Sequence, residues 1–226
     1  NALRRKGPVV GEAVIRNRAV REAMSGAYLV TPPETAVKAA AASMARYRAH
    51  RILVSDRSGV CGILTAFDLA RAAGRRKDFP GSGLRVSEVM NRPVAAIGSE
   101  DSVRDACLRM ARQDVSGLLV KGEGGRSIGF VSATDLVGFE AAGRVAGFSR
   151  REFRWQKGAL PGGQTGRTPV SAVMTPGLYA VKGGATVAEA AGWMERHGIH
   201  RVLVEGAGKA VGIVAAIDVV RAIAGP

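Results

Sequence analysis

The chain has 226 residues, a formal net charge of +14, 46% apolar residues and 23% charged residues. This balance excludes a disordered chain and is enough for one or more hydrophobic cores. No apolar stretch approaches the roughly 18 residues of a membrane-spanning helix, and "NALRRKGPVV" lacks the apolar centre of a signal peptide. Cys61 and Cys107 lie in separate apolar segments, which is typical of a reducing compartment, so we expect a cytoplasmic protein.

Residues 1–19 form a basic lead-in, and Asn1 and Ala2 are typical of a cloning remnant. We therefore expect the natural chain to begin at Leu3 or to extend further towards the N-terminus. The stretch "ALRRKG" is similar to the end of a closing helix such as "ARAAGRRK", which would belong to a further unit. The high positive charge favours anionic ligands or partners, including nucleotides and nucleic acid.

Three repeats follow, each marked by a methionine, a second methionine 20 residues later, and then an aspartate. These landmarks are Met24, Met44 and Asp68 in the first repeat, Met90, Met110 and Asp135 in the second, and Met174, Met194 and Asp218 in the third. We place repeat 1 at residues 20–77, repeat 2 at 86–143 and repeat 3 at 170–226, with a basic insertion at 144–169. Such a register is the signature of an internally repeated fold.

The elements come in the same order in every repeat. A short extended piece such as "YLVTP" precedes an amphipathic helix, for example "TVAEAAGWMERHG". In repeats 2 and 3 this helix is predicted to begin with a capping box, Ser102 to Asp105 and Thr186 to Glu189. A strand such as "RILVS", a glycine-rich turn and a second strand such as "CGILT" come next, and the aspartate opens a closing helix. Each repeat is therefore predicted to be a β-α-β-β-α unit of the α+β class.

The spacing of the repeats predicts how they pair. One unit cannot bury both faces of its sheet and needs a partner with a similar apolar face. Repeats 1 and 2 are adjacent, with 22 residues from Asp68 to Met90, so they are expected to pair. Repeat 3 follows the insertion and is left without a partner, which predicts a homodimer through repeat 3 across a two-fold axis. A fourth repeat before Leu3 would fill the same role.

The turn before the closing helix combines a hydroxyl with an aspartate three residues later, as in Thr65 and Asp68. The N-terminus of a helix receives phosphate, a hydroxyl adds a donor, and a carboxylate suits the two hydroxyls of a ribose. The same spacing is also a capping box, in which both side chains satisfy only the N–H groups of the helix. Repeat 3 has Ala215 before Asp218, which favours weaker phosphate binding there.

Together these landmarks resemble the cystathionine-β-synthase (CBS) domain family and cover nearly the whole chain beyond residue 20. The matching motifs are the V-x-x-x-M lead-in, the helix with its methionine, "HRILV" and "HRVLV" at 50–54 and 200–204, and G-h-h-[T/S]-x-x-D. The resemblance implies tandem units paired about pseudo-two-fold axes, in the disc called a Bateman module. It also implies a regulatory role in which the clefts bind AMP, ADP, ATP or S-adenosylmethionine.

The resemblance also implies the site residues, although a His-Arg pair entering a strand is equally well explained as a solvated strand end. In kinase gamma subunits that sense AMP, this position faces ligand phosphates. The first expected site contains Thr65, Asp68, His50 and Arg51 with the lead-in of repeat 2. The second contains Ser132 and Asp135, opposite Thr31 and the strand at 51–53, and the third, weaker site contains Asp218, His200 and Arg201.

Two other functions stay open. Residues 148–158 combine arginines with Trp155, which suits a nucleic-acid-associated regulator or a simple solvated loop. The chain would otherwise be the sensor part of a larger transporter or enzyme. The sequence has no nucleophile elbow, Cys/His array or phosphate loop, so an enzyme is not expected. The two histidines of "HGIH" are too few for a metal site, and no resident cofactor is expected beyond the regulatory ligand.

Overall fold

The computed structural model describes residue 21 and residues 26–76, 78–142 and 167–225. Each repeat forms a small sheet in which an antiparallel hairpin is joined by a short parallel strand. The strands are β1 (Val30–Thr31), β2 (Arg51–Asp56) and β3 (Gly59–Thr65); β4 (Ala96–Gly98), β5 (Gly117–Lys121) and β6 (Ser127–Ser132); and β8 (Ala180–Lys182), β9 (Arg201–Gly206) and β10 (Lys209–Ala215). The short strand β7 (Thr175–Pro176) joins the sheet of repeat 2. The predicted α+β fold of three tandem units is confirmed.

Seven α-helices lie within the described residues. They are α1 (Val37–Tyr47) and α2 (Ala66–Arg76); α3 (Val86–Val89), α4 (Val103–Gln113) and α5 (Ala133–Ala142); and α6 (Val187–His197) and α7 (Ala216–Ala224). The predicted capping boxes start α4 at Ser102 and α6 at Thr186, where each hydroxyl accepts a hydrogen bond from the backbone three residues later. The long helix before each hairpin (α1, α4 or α6) ends at a residue in the left-handed conformation. These residues are Arg48, Asp114 and Gly198, respectively.

Repeat 1 packs against repeat 3, so the predicted pairing of repeats 1 and 2 is wrong. Helix α1 lies on α7 and α2 lies on α6, and the two repeats share one hydrophobic core. The approach is close because the facing residues are small: a Cβ added to Gly74 would lie 2.5 Å from the carbonyl oxygen of Ala191. Repeat 2 presents the larger Cys107 and Leu108 at the corresponding part of its first helix. Small residues on the facing helices thus permit the close approach of repeats 1 and 3, and adjacency along the chain did not predict it.

The predicted homodimer interface on repeat 3 is consequently occupied within the chain. Ala191 and Val220, on the two helices of repeat 3, are fully buried in the core shared with repeat 1. The repeat left without such a partner among the described residues is repeat 2.

Repeats 2 and 3 are joined by an exchange of their lead-ins, the segments that precede the first strand of each repeat (residues 86–95 and 170–179). Asn91, in the lead-in of repeat 2, exchanges two backbone hydrogen bonds with Ile213 on β10 of repeat 3. In return, β7 in the lead-in of repeat 3 pairs with β6 of repeat 2. The lead-in methionines Met90 and Met174 lie against Gly212 and Gly129, which could not carry a Cβ without a clash. In repeats 2 and 3, the absence of a side chain at this glycine thus makes room for the methionine of the other repeat.

Candidate functional site

The turn motif forms a helix cap in repeats 1 and 2. The hydroxyl of Thr65 donates to Oδ2 of Asp68 at 2.6 Å, and the backbone N–H of Asp68 donates back to the hydroxyl. Ser132 and Asp135 make the same pair, with an oxygen-to-oxygen distance of 2.7 Å. Each cap uses Oδ2, and no described group donates a hydrogen bond to Oδ1 of either aspartate. Capping therefore leaves one carboxylate oxygen available to a ligand hydroxyl.

A cavity of about 340 Å³ lies between repeats 2 and 3 beside the second of these caps. Repeat 2 contributes Ser132 and Asp135, and repeat 3 contributes Tyr179, His200 and Arg201. Apolar side chains form most of the remaining wall, namely Phe130, Leu178, Ile199, Leu203 and Ile213. A mostly apolar cavity of this size with a few polar groups is typical of a small-molecule site.

Arg201 is the principal cation of the cavity. Its guanidinium lies 5.0 Å from the centre of the Phe130 ring. Gly117 gives it room, because a Cβ there would lie 2.6 Å from Nη1 of Arg201. Burial lowers the pKa of Arg201, and the negative charge of Asp135 opposes this change. The guanidinium remains charged at neutral pH and, being partly desolvated, would interact strongly with an anion.

His50 and His200 lie at the interface between repeats 1 and 3. The ring of His200 stacks on Phe67 of repeat 1 with centroids 4.0 Å apart. Burial lowers the pKa of His200, while the charge of Asp68 acts in the opposite direction. The pKa of His50 is likewise lowered, first by burial and then by the positive charge of Arg221 in repeat 3. Each histidine thus lies in the field of the other repeat's closing helix.

The predicted grouping of the site residues is wrong as a consequence of this pairing. The charge of Asp68 acts on the pKa of His200 of repeat 3, whereas the carboxylate that acts on the pKa of His50 is Asp218 of repeat 3. Arg51 contributes to the positive field at His50, together with Arg201 and Arg221. Thr31 lies on β1, where its hydroxyl donates to that of Thr35 at 2.6 Å, and it does not line the cavity beside Asp135. The residues that face Asp135 come from repeat 3 because repeat 3 exchanges lead-ins with repeat 2.

Asp218 is buried, with 1% of its surface exposed, and it is not part of the cavity. Its carboxylate accepts hydrogen bonds from the Asn91 side chain at 2.9 Å, the backbone N–H of Ala215 at 2.9 Å and the Arg221 guanidinium at 2.7 Å. Burial raises its pKa, and these donors oppose the change. The expected third site of Asp218, His200 and Arg201 is therefore wrong, since Asp218 is enclosed by the protein while the other two line the cavity.

Sequence reasoning missed three contributors, Tyr179, Asn91 and Phe67. Tyr179 and Asn91 lie in lead-ins, where a tyrosine and an asparagine close to the methionine were the available signal. Phe67 stacks on His200 only because repeat 3 packs against repeat 1, so its position in the sequence gave no signal of this contact.

Other predicted features bear less on the cavity. The basic insertion segment 148–158 lies outside the described residues. Within the described part, no three His, Cys, Asp or Glu side chains are placed to hold a metal ion. The rings of "HGIH" are separated, since His197 stacks on Trp193 and His200 on Phe67. Among the described helices, none has the length and apolar character needed to cross a membrane.

The family model described as CBS domain matches the chain three times, at residues 20–75, 86–141 and 170–225. An uncharacterized protein of Methanocaldococcus jannaschii is 26% identical over 76% of this chain and 39% of its own length. A homoserine O-acetyltransferase of Methanococcus vannielii is 25% identical over 46% of this chain, which spans 20% of that enzyme. The chain thus spans well under half the length of these two curated relatives.

Two solved structures share the fold. A conserved, uncharacterized protein of Pyrococcus horikoshii has a TM-score of 0.63 at 22% identity, covering 87% of this chain and 79% of the other. A protein of Methanocaldococcus jannaschii, proposed to be an archaeal homologue of γ-AMPK, has a TM-score of 0.68 at 19% identity, covering 89% and 69%.

Proposed function

The chain belongs to the CBS domain family, and on that premise we propose that it is a regulatory module that senses an adenosine-containing ligand. The observation that carries the proposal is the cavity between repeats 2 and 3. It brings the capped helix N-terminus of Ser132 and Asp135 together with Arg201, His200 and Tyr179. AMP, ADP, ATP and S-adenosylmethionine are the candidate ligands, bound reversibly and not as a resident cofactor.

The chemistry of the cavity matches the parts of a nucleotide. The free carboxylate oxygen of Asp135 accepts hydrogen bonds from neighbouring ribose hydroxyls. The Arg201 guanidinium attracts phosphate through its N–H donors and positive charge, and the N-terminus of α5 adds the positive end of the helix dipole. Tyr179 offers a ring edge or face to the base, beside the apolar wall of Leu178 and Ile213.

The position of the cavity suits a sensor. Its walls belong to two repeats, so a ligand that binds one arrangement of the repeats more tightly than another shifts their equilibrium. His200 adds a connection to repeat 1, because one residue both lines the cavity and stacks on Phe67. The output would then be the relative position of the three repeats, read by a partner or by a further part of a longer chain.

Calorimetric titration with AMP, ADP, ATP and S-adenosylmethionine tests the proposal. Asp135→Ala should weaken binding at least tenfold, because a hydrogen bond to a charged group is worth about 1.5–3 kcal/mol. Asp105→Ala is the matched control, since it removes the same kind of cap from a turn that does not line the cavity. Binding that is equally tight in wild-type protein and Asp135→Ala would contradict the proposal.

A second titration isolates the ribose contact. The 2′-deoxy form of the preferred nucleotide should bind wild-type protein more weakly than the ribonucleotide does. In Asp135→Ala this preference should disappear, because the acceptor of the hydroxyl is gone. A preference that persists in the variant would assign the ribose to another group.

A further inference from the structure

The first strand of each repeat lies at the edge of its sheet, namely β1, β4 or β8. In a parallel pair, alternate residues of such a strand direct their N–H and C=O groups away from the sheet. In β8, the flanking Tyr179 and Gly183 make hydrogen bonds to β9, so the outward groups belong to Ala180 and Lys182. An outer edge of this kind accepts a further strand from another chain unless something blocks it.

Repeats 1 and 2 block this edge. In repeat 2, Nη1 of Arg109 donates a hydrogen bond of 2.6 Å to the carbonyl oxygen of Ala96. The backbone N–H of Gly98 donates to Oδ2 of Asp101 at 2.9 Å. Both outward residues of β4 are therefore engaged, since they match those of β8 in register. In repeat 1, Pro32 follows β1 at the position of the second outward residue and has no N–H to donate.

Repeat 3 leaves the edge open. Trp193 stands where repeat 2 has the blocking arginine, and Ala185 stands where it has the aspartate. Ala180 and Lys182 are both exposed. Within the described residues, no group donates a hydrogen bond to the carbonyl oxygen of Ala180 or accepts one from the backbone N–H of Lys182. Repeat 3 therefore presents a backbone acceptor and a backbone donor at the spacing of a β-strand.

Three cations line a groove of about 730 Å³ beside this edge, and they are Arg85, Lys182 and Arg196. Nη1 of Arg85 donates a hydrogen bond of 2.7 Å to the carbonyl oxygen of Gly184, and the guanidinium of Arg196 lies 5.6 Å from the centre of the Trp193 ring. Neither guanidinium forms an ion pair with a carboxylate of the described residues. Both are thus available to a carboxylate of a partner, which a guanidinium binds through two parallel hydrogen bonds.

The negative charge of the groove is already engaged. Among the described residues that line the groove, only Glu189 is acidic. Its carboxylate accepts hydrogen bonds from the backbone N–H and the hydroxyl of Thr186, as part of the cap of α6. The groove therefore has an excess of positive charge and favours acidic side chains.

We propose that the outer edge of β8 binds an extended acidic segment of a partner protein as an additional strand. The C=O of Ala180 and the N–H of Lys182 pair with the backbone of this segment. Because side chains alternate along a strand, every second side chain of the segment faces the groove. Aspartate or glutamate at these positions pairs with Arg85 and Arg196.

Fluorescence anisotropy with a labelled peptide of alternating glutamate and valine tests the backbone pairing. The wild-type protein should bind this peptide, and Lys182→Pro should bind it at least tenfold more weakly than Lys182→Ala does. Both variants lack the ammonium group, and only the proline variant lacks the outward N–H. Repeat 1 carries proline at the same position, as Pro32, so the variant is expected to fold. Equal binding by the two variants, or no binding by the wild-type protein, would overturn the proposal.

Three further probes separate backbone pairing from charge attraction. The same acidic peptide with N-methylated amides should bind weakly, because it cannot donate a hydrogen bond to the carbonyl oxygen of Ala180. A peptide of alternating lysine and valine should not bind, and oligothymidylate should not displace the acidic peptide. If the N-methylated peptide bound as tightly as its parent, or if oligothymidylate displaced it, charge attraction or a nucleic acid would account for the groove and the proposal would be wrong.

Arg196→Glu should also weaken binding of the acidic peptide at least tenfold, because it replaces a cation of the groove by a carboxylate. Arg112→Glu is the matched control, since Arg112 is the exposed counterpart in repeat 2, where Arg109 blocks the edge. An equal loss in the two variants would trace the effect to net charge and contradict the groove as the binding site. These measurements contain no ligand of the cavity, so a failure of nucleotide binding leaves their outcome unchanged.

Discussion

The side-chain amide of Asn91 donates a hydrogen bond of 2.9 Å to Oδ2 of Asp218, which lies 127 residues further along the chain. In repeats 1 and 2, the corresponding oxygen accepts a hydrogen bond from the hydroxyl of Thr65 or Ser132. The amide of Asn91 therefore replaces the hydroxyl that Ala215 lacks. The aspartate of repeat 3 is retained for a structural purpose, because it ties the lead-in of repeat 2 to the closing helix of repeat 3.

Removing this amide should destabilise the protein. Asn91→Ala leaves a buried carboxylate short of one donor, which costs about 1–3 kcal/mol of unfolding free energy. Ala215→Thr should recover part of that loss in the Asn91→Ala background, because its hydroxyl can cap Asp218 as Thr65 caps Asp68. Urea unfolding of the two single variants and the double variant measures the coupling. Strictly additive effects would show that the two donors do not substitute for each other.

The raised pKa of Asp218 predicts a dependence of stability on pH. The folded state binds a proton at Asp218 at higher pH than the unfolded state does. Stability from this group is therefore fully present below the unfolded pKa and is lost as pH rises through the folded pKa. The stability of wild-type protein relative to Asp218→Asn, measured by urea unfolding, should grow as pH falls through the folded pKa of Asp218 towards its unfolded value.

Asp105→Asn provides a control of opposite sign. Its hydrogen bonds with Ser102 lower the pKa of Asp105, so its contribution is present above the unfolded pKa and is lost as pH falls through the folded pKa. The stability of wild-type protein relative to this variant should shrink over the low-pH part of a urea-unfolding series. Equal slopes of stability against pH for the two variants would contradict the raised pKa of Asp218.

The sequence predicted each repeat better than it predicted their assembly. Periodicity and capping boxes located the helices at Ser102 and Thr186 because these are local interactions between residues three or four positions apart. The pairing of repeats 1 and 3 depends on small residues such as Gly74 and Ala191 meeting across an interface, and one sequence does not show which surfaces meet. The individual residues Asp135 and Arg201 were found for the same local reason. The sequence did not predict that these two residues lie together, because their proximity follows from the exchange of lead-ins between repeats 2 and 3.

The histidine in the cavity predicts a dependence of ligand affinity on pH. Burial lowers the pKa of His200, and a bound phosphate would raise it again because a negative charge favours the protonated ring. Binding should then take up a proton and strengthen as pH falls towards the pKa of His200 in the complex. Calorimetry in buffers of different ionisation enthalpy measures that proton uptake.

His200→Gln should reduce this proton uptake, and His197→Gln should not. His197 is the control for an indirect effect, because its ring lies 4.5 Å from that of Tyr179 but does not itself line the cavity. Comparing variants with the same ligand also cancels the titration of the phosphate itself. Proton uptake that is unchanged in His200→Gln would assign it to another group.

Gly117→Ala should lower both the stability of the protein and its affinity for the ligand, although it adds only one methyl group. A Cβ at this residue would overlap the ring of Phe130 and lie 2.6 Å from Nη1 of Arg201. Gly117→Ala should therefore lower the unfolding free energy by about 1–3 kcal/mol through overpacking, and the displaced guanidinium should weaken nucleotide binding. Gly183→Ala is the control, since the nearest atoms to a Cβ there are 3.9 Å away. Urea unfolding and calorimetric titration of both variants decide the outcome. If Gly117→Ala were as stable as Gly183→Ala and bound ligand as tightly as wild-type protein, Arg201 would not depend on the space that Gly117 leaves beside Asp135.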